Sequence, residues 1–173
     1  NPAHQGGDFG VTTGMLATEI ARMIHPEVEE KIRHFPAVSA VGDRSEAPEA
    51  ALYIKLVEDK YGRDDLKKVA LALDYEAFWL RFNEGRGLIN DILCLGRLDR
   101  HRRIVDLLCE QANAAIDEQL RASMGNVKST KLPNGIIMNV LDVENFAHKF
   151  TFPPPGKTSG EVHDRLCKKF EGK

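Results

Sequence analysis

Phe35-Pro-Ala-Val-Ser-Ala-Val-Gly-Asp-Arg-Ser-Glu46 is the stretch that decides how this chain is read. Val38 and Val41, with Ala37 and Ala40, fall at i, i+3, i+4 spacing, the pattern of a short buried helix. Gly42 reads as the glycine that ends it. Asp43 is thereby delivered at the mouth of a buried element, and two readings of it stand. In the more ordinary one Asp43 or Ser45 caps the next helix, which opens at Ala47-Pro48-Glu49. In the other, a rigidly placed carboxylate serves as a ligand.

Upstream, Gly6, Gly7 and Gly10 mark a loop. Thr12 or Thr13 then caps a helix to about Ile24, with Met15, Leu16, Ile20, Met23 and Ile24 on its apolar face. A glycine-rich loop before a helix invites a phosphate cradle. This one does not fit G-x-G-x-x-G and no strand precedes it, which excludes the dinucleotide form. Pro26 suits a first helical turn, followed by Glu27, Glu29 and Glu30 at the positive helix end. His34 stands at the break before Phe35-Pro36. It is either the end of a helix or, less ordinarily, a metal ligand converging with Asp43.

Downstream the spacing predicts helices over 47–61, 66–82 and 88–95. A long helix from about Asp99 to Met124 carries Ile104, Leu107, Leu108, Ala112, Ala115, Ile116 and Leu120 at helical spacing. Trp79 reads as core and not as a base-stacking platform. The period then changes. Lys131 to Gly135 is a turn, Ile136 to Val143 a strand, and Phe146 to Phe152 a second strand or irregular. Pro153-Pro154-Pro155 is a stiff connector before a last helix, Glu161 to about Phe170.

The 173 residues suffice for one domain, or one domain and a piece of another. Charged residues make up 29% of the chain and the net charge is -2, so nucleic-acid binding would need a local patch. Cys94, Cys109 and Cys167 are widely spaced and odd in number, which excludes a zinc framework and reads as free thiols. No apolar run approaches the roughly 20 residues of a membrane span. Gly156-Lys157-Thr158 fails as a P-loop, because Thr151 stands where the first glycine belongs and Pro153 to Pro155 have no N–H to offer phosphate. Arg97, Arg100, His101, Arg102 and Arg103 form the densest basic cluster. Cations at a helix start oppose its dipole. Arg100, Arg102 and Arg103 are therefore candidates for phosphate contact in a groove between domains, against the alternative of a solvated face paired with Asp99 and Asp106.

An apolar helical run ending in Asp resembles the fourth motif of the DHH phosphoesterases, the RecJ-type nucleases and their relatives. Asn1-Pro2-Ala3-His4-Gln5-Gly6-Gly7-Asp8, with Thr12-Thr13-Gly14 opening a helix, is similar to the segment after Asp-His-His in archaeal members. The Asp-x-Asp motif, the further Asp, the Asp-His-His triplet and the later Gly-Gly-Gly-His motif are not in this sequence. The chain thus looks like an internal fragment beginning just after Asp-His-His. The resemblance implies a mainly α fold: residues 1–98 as the helical part of an α/β DHH domain, 99–125 as a connecting helix, and 126–173 as the start of a small α+β DHH-associated domain. It implies a cytoplasmic, metal-dependent hydrolase cutting single-stranded DNA or RNA, with a place in DNA repair. Asp43 would be one ligand of Mn²⁺ or Mg²⁺, hard cations that prefer oxygen donors. The fragment itself is expected to be inactive. Two other readings remain open: a helical interaction module without catalysis, and a DHH phosphodiesterase acting on small nucleotides.

Overall fold

Thr12 starts the first helix, accepting the Met15 N–H on its hydroxyl at 3.3 Å, a cap of the kind that contributes about 1 kcal/mol. The computed structural model describes residues 10–80, 86–94, 98–146 and 151–170, and the side chains of residues 86, 98–100, 146 and 170 lie outside that description. Helix α1 (Thr13–Ile24) leads through a 3-10 turn (Pro26–Val28) to a short α2 (Glu29–Ile32), then α3 (Phe35–Gly42), α4 (Pro48–Lys55), α5 (Arg63–Leu80), α6 (Arg86–Ile92) and the long α7 (Leu98–Met124). A hairpin follows, β1 (Lys128–Lys131) against β2 (Ile137–Val140), then α8 (Val143–Phe146) and α9 (Pro155–Phe170). The fold is mainly α.

Two compact units divide within α7, between Cys109 and Glu110. In the first, Ala37 and Val38 of α3 join Leu66, Val69 and Ala72 of α5, Ile92 of α6, and Val105, Leu108 and Cys109 of α7 in one apolar core. A smaller cluster of Met15, Ala40, Ala47 and Ala50 lies beneath α1 and α4. In the second unit Leu120 packs with Val162 and Leu166 of α9. The antiparallel hairpin pairs Lys128 with Val140 and Lys131 with Ile137.

The structure differs from the sequence reading in several places: the helix read over 47–61 stops at Lys55, the strand read from Ile136 to Val143 ends at Val140 and Val143 opens a helix, and three further differences have a visible cause. Helix α1 buries Met15 and Thr18, whereas Leu16, Ile20, Ile24 and above all Met23, 83% exposed, face outward. The reason is Gly14. A Cβ there would stand 2.6 Å from the Ser39 Cβ, and closer still to its hydroxyl, so α1 meets α3 through its small residues. Helix α9 begins at Pro155, six residues before Glu161, because a proline is preorganised for a first turn. Strand β1, in a stretch read as leading to a turn, is all polar and wholly exposed, so it carries no alternation to reveal it. Of the second strand considered over 146–152, Phe146 ends α8 and residues 151 and 152 form a bend, while 147–150 lie outside the described residues.

Candidate functional site

Helix α3 ends at Gly42, but the left-handed residue of its cap is not that glycine. The Ser45 N–H bonds the Ala40 carbonyl at 2.9 Å and the Arg44 N–H bonds that of Val41 at 3.3 Å. These are the two bonds of a Schellman cap, and the left-handed position between them is Arg44, with φ 53. Gly42 is instead the last helical residue, small because a Cβ there would approach that of Ala70 on α5 to 3.3 Å. The cap fixes the residue between helix and turn, Asp43, whose own N–H bonds the Ser39 carbonyl at 3.0 Å.

The Asp43 side chain is exposed and does not cap the next helix. The N-cap of α4 is Ala47, without a side-chain cap, and the Ala47 N–H is received by Ser45 Oγ at 3.3 Å. Ser45 Oγ in turn donates to the Gly10 carbonyl, and the Thr12 and Ser39 hydroxyls share a hydrogen bond of 2.6 Å. These links tie the entry of α1 beside the exit of α3, so the start of the described chain and Asp43 share one end of the helix pair. Among the described residues no three His, Cys, Asp or Glu side chains are grouped to hold a metal. The residues present therefore fit one oxygen ligand of a divalent cation, not a whole site.

His34 does not converge with Asp43. It sits at the other end of α3, an eight-residue helix about 12 Å long. Its Nε2–H donates to the Leu93 carbonyl at 2.7 Å, and its ring stacks on Tyr61 with centroids 5.1 Å apart. Burial lowers its pKa below 6.5, the Leu93 carbonyl opposes that, and Lys60 and His101 add to it. Tyr61 also meets the edge of His101 at 6.3 Å. Burial, with the Cys94 thiol facing it, raises the Tyr61 hydroxyl well above its usual range. Cys94, half-buried, stands in the turn after α6 in a left-handed conformation, φ 59. This histidine–tyrosine–cysteine group was not legible as a unit in the sequence.

The basic cluster at the start of α7 is split by the fold. His101 is buried, 6% exposed, whereas Arg102 and Arg103 are exposed; the Arg100 side chain lies outside the described residues. Asp106 pairs across to Lys68 of α5 at 2.8 Å, so of the two carboxylates considered as partners for the arginines Asp106 turns to α5, while the Asp99 side chain lies outside the described residues. Between α5 and α7 lies a cavity of about 250 Å³, lined by Lys60, Tyr61, Asp65, Lys68, His101 and Arg102 among others.

Comparison with known proteins places this geometry. No protein-family model matches the chain. It is 44% identical over 185 residues to the uncharacterized protein MJ1198 of Methanocaldococcus jannaschii, covering 98% of this chain and 24% of that protein. A solved structure, the DHH domain of PF0399, a member of the s1p family of ribosomal proteins, superposes with a TM-score of 0.88 at 45% identity, over 95% of this chain and 38% of that one. The chain thus spans about a quarter of the curated relative and carries a DHH-type fold.

Proposed function

From a DHH-type fold, we propose that this chain is the helical portion of a metal-dependent phosphodiesterase of RecJ-like type that hydrolyses single-stranded nucleic acid. The observation that carries the reading is Asp43: an exposed carboxylate that caps no helix start among the described residues, held at a fixed point by a helix cap with a non-glycine residue in the left-handed conformation. In this reading Asp43 is one oxygen ligand of Mn²⁺ or Mg²⁺, and the other ligands come from outside the described residues. A bound ion of this kind supplies Lewis-acid stabilisation of the phosphate and lowers the pKa of a water. The chain's own contribution is to hold that carboxylate rigidly and, through the exposed cations Arg102 and Arg103, to meet the phosphate backbone, a contact in which Arg100 is proposed to share. The reading places the protein in the cytoplasm. The described helices agree with this only in that none is long and apolar enough to cross a membrane.

The name of the solved relative, a member of a ribosomal-protein family, favours RNA over DNA as the polymer. A phosphodiesterase acting on small nucleotides is the second enzymatic reading, and a helical interaction module the non-enzymatic one. The test uses a polypeptide that also includes the remainder of the DHH domain. Single-stranded DNA, single-stranded RNA and a linear dinucleotide are offered with Mn²⁺. Asp43→Asn is expected to reduce hydrolysis by roughly 100-fold or more and to weaken Mn²⁺ binding in calorimetry. Full activity in that variant removes the ligand role, and no Mn²⁺-dependent hydrolysis of any of the three substrates leaves only the interaction module. The 173-residue chain alone is expected to show no turnover.

A further inference from the structure

We propose that the cavity between α5 and α7 is a binding site for a small phosphomonoester, held by Lys60, Arg102 and His101. The inference stands on the lining and not on the reading of Asp43, which lies at the opposite end of α3 from the His34–Tyr61 stack beside this cavity. Two of the lining charges satisfy each other: Lys68 and Asp106 pair at 2.8 Å. A third is engaged by the backbone, since Asp65 accepts the Gly62 N–H at 3.1 Å. That leaves Lys60 and Arg102, neither of them ion-paired among the described residues. Lys60 is held over the Tyr61 ring at 5.4 Å, and Arg102 is exposed at the cavity's α7 wall. Both cations act on His101.

His101 is the second, independent observation. It is a cavity-lining side chain, 6% exposed, with neither ring nitrogen hydrogen-bonded. The Ile92 carbonyl stands near enough to favour its protonated form but not in hydrogen-bond geometry. A buried, unpaired imidazole costs stability that most interiors avoid, so its retention among lining cations points to an acceptor that arrives from outside. Lys60 and Arg102, offset in part by the Asp65 carboxylate, leave the lining net positive, and with the imidazole they offer a phosphate a point charge, a guanidinium fork and a ring N–H. The apolar share of the lining, Val69 and Val105, suits a small organic body on that phosphate. The volume, about 250 Å³, falls below the roughly 300–1,000 Å³ of drug-sized sites, which limits the ligand to a small one. Around His101 stand Lys60, Tyr61, Asp65 and Lys68 from the α5 side, His34 beyond Tyr61, and Arg102 and Asp106 on its own helix. Binding of a dianion should therefore raise the His101 pKa.

The experiment is an NMR titration of the protein's histidine ring signals with inorganic phosphate and with phenyl phosphate, at constant ionic strength and pH 6.5. A saturable shift of His101 is expected with both, tighter for phenyl phosphate. It should be roughly tenfold weaker in Lys60→Gln and in Arg102→Gln, both surface changes that spare the core. It should be unchanged in Lys67→Gln, whose cation lies on α5 outside the lining and pairs with Asp64. An oligothymidylate without terminal phosphate, which in the reading above meets Arg102 and Arg103 from outside, should shift His101 less than phenyl phosphate does and in a way that Lys60→Gln does not weaken. A shift that does not saturate, or that weakens equally in Lys67→Gln, reduces the effect to general screening and overturns the site. Equal response to the oligothymidylate means the cavity reads a phosphodiester backbone and overturns the monoester assignment.

Discussion

Arg44 occupies the one backbone position at the candidate site that favours glycine, and this separates structural from functional constraint there. A left-handed conformation costs a non-glycine residue about 1–2 kcal/mol. If the cap only had to end a helix, glycine would serve better. Arg44→Gly is accordingly expected to raise stability by about 0.5–1 kcal/mol in urea unfolding, a net figure that includes loss of what the arginine side chain touches. Asp43→Asn is expected to change stability by less than about 0.5 kcal/mol, because the side chain caps no helix and is exposed. A loss above about 1 kcal/mol in Asp43→Asn would return the residue to a structural role. The same substitution in the hydrolysis assay then distinguishes a ligand from a bystander.

At the scale of elements, the contact that positions the site is the crossing of α1 on α3 through Gly14 and Ser39. Gly14→Ala places a methyl within 2.6 Å of the Ser39 Cβ, an overpacking expected to cost about 1–3 kcal/mol. Ser39→Gly removes the obstructing atoms but also the Thr12 bond. The double variant should be more stable than the sum of the two single losses, by a coupling of about 0.5–3 kcal/mol measured in a double-mutant cycle. Strict additivity would mean that the helices can slide apart without penalty. This contact also shows what the sequence could and could not reveal. The apolar period over α3 made that helix legible, down to the buried Ala37, Val38 and Ala40, because bulk and burial go together there. On α1 they do not. The large residues Ile20, Met23 and Ile24 lie outward and glycine makes the interface, which periodicity cannot signal. The long helix was legible within a residue of Leu98–Met124. His101 was grouped with the arginines although it lies in register with Val105, Leu108 and Ala112, all buried. That register was the signal that it belongs inside. Tyr61 and Cys94, a loop residue and a turn residue, offered no periodic clue that they meet.

For the molecule as a whole, the two buried imidazoles make the first unit's stability depend on pH. His34 and His101 both have pKa values lowered from 6.5 in the folded state, chiefly by burial, with Lys60 repelling each proton as well. The unfolded chain takes up protons near pH 6.5 and the folded one only at lower pH. Stability is therefore fully present above about pH 6.5 and is lost as pH falls through the folded values, levelling once both states are protonated. Each excluded proton contributes a slope of up to about 1.4 kcal/mol per pH unit within that window. Trp79, the only tryptophan in the chain, lies in the first unit in edge contact with Phe78 at 5.1 Å, so its fluorescence reports that unit's unfolding. Urea midpoints followed by this signal should fall between pH 7.5 and pH 5. In His34→Gln, which keeps a donor for the Leu93 carbonyl but cannot titrate, the fall should be about half as steep. The phosphate proposed for the α5–α7 cavity acts in the opposite direction on His101. By binding the folded state it should lift the midpoint at pH 7.5, where a phosphomonoester is a dianion. A midpoint independent of pH across this range would mean that neither ring excludes its proton when folded, and the burial of both would then have no electrostatic consequence.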